Sequence, residues 1–164
     1  MTGATEFAVP AQQIAGSARF VSLKVAPDGL RVAMIVRRNK GASVYVSAIT
    51  KKKNSSLIYL AQGGPVLTAG PDLVDPIAVT WWDSDHLLVL DRRHDVSQLY
   101  EVPLNGGQST RVLSTPAGAV SVAANGSFIA VGTQGSSGRG RPGALVSKGL
   151  DGSWIRVANG STPA

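Results

Sequence analysis

Residues 23–36, Leu-Lys-Val-Ala-Pro-Asp-Gly-Leu-Arg-Val-Ala-Met-Ile-Val, set two short β-branched runs on either side of a Pro-Asp-Gly turn. Asp-Gly supplies positive-φ positions at little steric cost, so the pattern reads as a tight hairpin. It recurs twice. Val79-Thr-Trp-Trp-Asp-Ser-Asp85 leads into His86-Leu-Leu-Val-Leu90, and Ser121-Val-Ala-Ala-Asn-Gly126 leads into Ser127-Phe-Ile-Ala-Val131. One hairpin cannot bury its own apolar faces, so a chain carrying three copies has to stack them.

Strand signals flank each copy. Residues 23–26, 31–37, 44–49 and 57–60 make four short strands, residues 77–82, 86–91, 98–103 and 110–113 make four more, and residues 120–123, 128–133, 144–148 and 154–157 make the last four. Asn105-Gly106-Gly107 and Asp151-Gly152 turn hairpins, residues 61–76 read as a Gly/Pro-rich connection, and residues 134–143 read as a mobile Gly/Ser/Arg loop. No ten-residue window carries a 3.6-residue apolar stripe, which excludes βαβ folds. Four strands every roughly 40 to 55 residues is the spacing of β-propeller blades. The expected fold is therefore all-β, a propeller segment of about three four-stranded blades near residues 20–62, 76–115 and 118–160. Residues 1–19 are an N-terminal connection with a candidate closing strand near Phe7. Complete rings have about four to eight blades. Three blades imply a piece of a larger ring, a ring closed by a second copy, or an open arc.

Sixteen Lys and Arg against ten Asp and Glu give a net charge of +6, a field suited to acidic partners. Lys51, Lys52, Lys53, Arg92, Arg93, Arg139 and Arg141 are the candidate partner-contacting residues. An aromatic content of 5% argues against a stacking platform for single-stranded nucleic acid. With no cysteine there is neither disulfide nor thiolate metal site. No apolar run is long enough to span a bilayer and the opening residues lack a signal-peptide pattern; if the natural protein is exported, its targeting and anchoring segments are expected outside this sequence.

Chemistry-bearing clusters are sparse. Asp83-Ser84-Asp85-His86 reads as a turn, and Asp91-Arg92-Arg93-His94-Asp95 as a loop whose arginines satisfy its carboxylates. Gly138-Arg-Gly140-Arg-Pro-Gly143 matches the dinucleotide fingerprint by letter, but Pro142 and the following strand deny it a helix N-terminus. No Gly-x-Ser-x-Gly elbow occurs. Adjacent Trp81 and Trp82 must point to opposite faces of a strand, one between blades and the other nearer the outside. No catalytic, cofactor or metal residue is assigned. The alternative is a lactonase- or glycosidase-like propeller gathering Asp28, Asp83, Asp85 and Asp91 around a central channel.

Val25-Ala-Pro-Asp-Gly-Leu-Arg-Val-Ala-Met-Ile-Val36, Ala78-Val-Thr-Trp-Trp-Asp83 with Leu87-Leu-Val-Leu90, Gly118-Ala-Val-Ser-Val-Ala-Ala124 and Asp151-Gly-Ser-Trp154 follow one another in the order found in a known family. The chain resembles the C-terminal propeller of the actinobacterial LpqB lipoproteins over nearly its whole length. That resemblance implies a lipid-anchored protein outside the cytoplasmic membrane, with the propeller following a GerMN-type domain. It also implies a non-enzymatic partner role toward the extracytoplasmic part of the MtrB sensor kinase in the MtrA–MtrB system, with no cofactor. Neither the family's lipobox cysteine nor its preceding domain is found in this sequence.

Overall fold

A computed structural model gives the fold and describes residues 18–51, 58–60, 66–94, 96–113, 117–122, 129–133, 143–147 and 153–159. These form thirteen strands in three antiparallel sheets. The first sheet holds β1 (Arg19–Val25), β2 (Arg31–Arg38), β3 (Gly41–Lys51), β4 (Ile58–Leu60) and β5 (Val66–Ala69). The second holds β6 (Pro76–Trp81), β7 (His86–Arg93), β8 (Val96–Pro103) and β9 (Thr110–Arg111). The third holds β10 (Ala117–Val122), β11 (Ile129–Thr133), β12 (Gly143–Ser147) and β13 (Ile155–Asn159).

The repeated hairpin opens each sheet, and the register makes the three copies equivalent. Leu23 pairs with Met34, Val79 with Val89 and Val120 with Val131; Val25 pairs with Val32, Trp81 with Leu87 and Val122 with Ile129. Each first strand also carries a register shift at the same point, between Phe20 and Ser22, Pro76 and Ala78, and Ala117 and Ala119. Such bulges bend a strand and add local twist, as closely packed first strands need.

The first turn differs in detail from the expected one. Gly29 alone takes positive φ, at 71°. Its amide donates to the Ala26 carbonyl at 2.9 Å, and the Ala26 amide donates to the Arg31 carbonyl at 2.8 Å. Residues 27–30 thus form a longer loop, in which Asp28 accepts the Leu30 amide at 2.8 Å through its side chain instead of adopting positive φ itself.

A second correction concerns residues 61–76. They are not only a connection, because Val66–Ala69 pairs with Val44 to Ser47 of β3, while β4 pairs only with the far end, Ile49 to Lys51. Four residues between Gly64-Pro65 and Gly70-Pro71 are too few to show alternation. The open edge of β3 recruits them.

Second strands of the first two blades are buried on both faces, which explains their unbroken apolar runs. Leu87 and Val89 join Ala33, Ile35, Val44, Val46, Val79 and Trp81 in a core between the first and second sheets. Leu88 and Leu90 join Leu99, Leu113, Ala117, Ile129 and Val131 between the second and third. Leu87, Leu88 and Val89 are all 0% exposed, each burial contributing roughly 1.5–3 kcal/mol. The tryptophan pair follows the same alternation: Trp81 fills the first seam and Trp82 packs on the second. Both lie between sheets, so the expectation that one faces outward is corrected.

Candidate functional site

The sheets stack so that their turns emerge at two rims. On the first rim lie the β1–β2 and β6–β7 turns. Asp28 Oδ2 accepts Arg31 Nη2 at 2.8 Å, and the Arg31 guanidinium sits 5.0 Å from the Trp81 ring centre. Trp81 Nε1 donates to the Lys24 carbonyl at 2.9 Å, and the Val79 amide donates to Ser22 Oγ at 3.3 Å, tying the first seam together. Asp83 accepts the amides of Asp85 and His86 at 2.7 Å each and pairs with His86 Nδ1 at 3.0 Å. The backbone amide of Leu30, followed by the adjacent Arg31, holds Asp28 below the usual carboxylate range despite some desolvation. Burial pushes Asp83 upward, but the amides and His86 outweigh it and leave it lowered.

On the opposite rim, at the β2–β3 and β7–β8 turns, Asp91 is 0% exposed. It accepts the Val74 amide at 3.0 Å, the Asp75 amide at 2.7 Å and Arg93 Nε at 2.9 Å. Arg93 also donates to the Asp72 carbonyl at 3.1 Å and lies 5.0 Å from the Tyr100 ring centre. Its pKa is raised, first by the hydrogen bond to Asp91. Asp75 accepts Arg37 Nη2 at 2.6 Å and Arg92 Nη2 at 2.7 Å, joining the first two sheets. Burial works against its charge, but the two arginines overcome it and lower its pKa. Beside this network opens a cleft of about 490 Å³, lined by Lys40, Ala42, Tyr45, Leu73 and Val74 among others. Val74 is 60% exposed there.

These positions divide the basic set read from the sequence. Arg92 and Arg93 are engaged in pairs that order the 70–75 segment. The backbone of Lys51 ends β3 beyond Ala48, which pairs with Arg31, so it lies at the first rim, away from Arg92 and Arg93. Lys52, Lys53, Arg139 and Arg141 fall outside the described residues. Asp28, Asp83 and Asp85 share one rim while Asp91 is at the other, and among the described residues no group of three or more His, Asp or Glu is arranged to hold a metal ion. Sequence reading missed Asp72, Asp75 and the cleft beside them. Asp91 itself left a signal: its register equivalents are Val36 and Thr133, so a carboxylate at a core position called for distant donors.

Four- and five-stranded antiparallel sheets, packed face on face with β6 against β1 and β10 against β6, define this as a β-propeller segment. The chain belongs to the lipoprotein LpqB β-propeller domain family, whose model matches residues 2–164. It is thus a domain of an envelope-associated lipoprotein family. No curated protein matches it. Among the described residues no helix is long and apolar enough to cross a membrane.

Proposed function

We propose that this domain is a non-catalytic interaction module that contacts the extracytoplasmic part of the MtrB sensor kinase and modulates signalling through MtrA–MtrB. The carrying observation is how the Asp91 rim is built. Its carboxylates and arginines are committed to fixing loops, and beside them sits a preformed cleft with a basic lip at Lys40 and exposed apolar surface at Val74. A rigid rim presenting a small apolar patch edged by positive charge suits recognition of a protein surface.

The test is binding of the isolated domain to the kinase's extracytoplasmic part, alongside the Val74→Asp and Lys40→Glu variants. The expected result is binding that each substitution weakens about tenfold, Lys40→Glu with greater salt dependence. Full-length lipoprotein that binds while this domain does not would move the contact to another part of the lipoprotein and overturn the assignment.

A further inference from the structure

We propose that the cleft beside Val74 receives an extended acidic segment of a protein partner, which adds to the first sheet as a short strand against Ala42 of β3. This rests on the reading above and names the chemistry of what the cleft takes. The Ile49 amide donates to the Leu30 carbonyl at 2.9 Å. Alternation along an antiparallel strand then turns the main-chain groups of odd-numbered β3 residues toward β2 and those of even-numbered ones toward the other edge. On that edge Val44 and Val46 are matched by Ala69 and Leu67 of β5. Ala42 comes next, and among the described residues nothing pairs with it on that side. Its N–H and C=O face the cleft, which Gly41, Ala42 and Ser43 line. This edge lies in the plane of the sheet, so the stacking of other sheets on its faces does not pair it.

The chain itself is held off that edge. Gly70 turns the segment after β5 away at a φ of 60°, and a Cβ there would stand 2.5 Å from Leu73 Cδ1. The Leu73 amide donates to the Gly70 carbonyl at 3.1 Å, and Asp91 holds the Val74 and Asp75 amides. Residues 70–75 therefore wall the cleft instead of continuing β5. An unpaired strand edge between fixed walls is the setting for strand addition. The walls also select the strand. Ala42 and Leu73 pack on the same core, so a residue added opposite Ala42 meets an apolar wall. Ser43 lies on the other face, the face of Arg38, which pairs with Gly41. Arg38 and Lys40 give the described lining two cations and no carboxylate. The carboxylates nearest in sequence are engaged, Asp72 by the Ser109 hydroxyl at 2.8 Å and Asp75 by two arginines. A segment alternating apolar and acidic side chains matches both faces. Ala42 offers only its own N–H and C=O to the added strand, so the charges carry the selectivity.

Amide NMR on the isotope-labelled full chain, titrated with a blocked pentapeptide alternating valine and glutamate, tests this. The expected result is saturable binding that moves the Ala42 amide resonance and slows its exchange with solvent. A peptide with lysine in place of glutamate should bind at least about tenfold more weakly. The acidic peptide N-methylated at its central valine, which loses the donor to the Ala42 carbonyl, should weaken by about tenfold as well. Lys40→Glu, at an exposed turn position, should cost the acidic peptide about tenfold, and Ala42→Pro, which deletes an N–H that β2 does not use, should abolish its binding. Acidic and basic peptides that bind equally, an N-methylated peptide as good as its parent, or an Ala42 amide that neither shifts nor gains protection would overturn the proposal. Kinase binding is read separately. If the kinase's extracytoplasmic part binds and Val74→Asp weakens it while the acidic peptide does not bind, the interaction reading stands and strand addition fails. Acidic peptide binding without kinase binding supports strand addition and overturns the choice of partner.

Discussion

At the rim of the β1–β2 and β6–β7 turns, the Asp28 and Asp83 carboxylates find their partners within three residues of chain. At the opposite rim, Asp91 pairs locally with Arg93 but, like Asp75, also reaches partners 16 to 38 residues away, and the two pull the 70–75 segment, β2 and β7 into one network. Both rims use aspartate and arginine, but to different ends. The first set shapes turns that water would otherwise solvate at small cost. The second satisfies a fully buried carboxylate and fastens two sheets, so its removal leaves amides and a guanidinium without a partner.

The largest effect should come from Asp91→Ala, which strands the amides of Val74 and Asp75 together with Arg93; about 3–5 kcal/mol of stability should be lost in urea or guanidinium titration. A loss under about 1 kcal/mol would place Asp91 with the turn-forming carboxylates. Next comes Asp75→Asn, expected to cost about 1 kcal/mol at neutral pH, with a pH signature. The folded-state pKa of Asp75 is lowered from 3.8, so its contribution is fully present above that value and disappears as pH falls through the lower folded value. The variant should therefore lose less stability than wild type on acidification below about pH 4, and parallel curves would assign the acid sensitivity to other groups. Asp28→Ala should cost only about 0.5 kcal/mol, since Gly29 and the backbone bonds keep the turn and the Arg31 pair is half-solvated. Circular dichroism melts resolve that ranking. An Asp28 effect as large as that of Asp91 would erase the distinction between the rims.

This contrast also marks how far the sequence could be read. Hairpins announce themselves locally: Pro27-Asp28-Gly29, Asn105-Gly106 and the apolar runs after each turn give strand order and spacing, and from these the stacked architecture follows. Asp83 was legible as a turn residue because its partners lie two and three positions on. β5 was hidden, since its four residues acquire strand character only from the edge of β3. The Arg93–Asp91 pair was legible as a local salt bridge of residues 91–95, whereas the partner of Arg92 was not, because only the fold brings Asp75 to it from 17 residues away. A one-residue step, from Trp81 at the end of β6 to Trp82, changes which seam is filled, and period-two alternation predicts the change of face but not that another sheet waits on each side.

Adjacent residues of β7 offer the most direct test that the repeats stack as sheets. In a methyl-labelled sample, nuclear Overhauser cross-peaks from Leu87 and Val89 should run to first-sheet methyls such as Ala33, Ile35 and Val46, and those from Leu88 and Leu90 to Ile129 and Val131 of the third sheet. Cross-peaks from Leu87 and Leu88 to one and the same sheet would contradict the stacked arrangement.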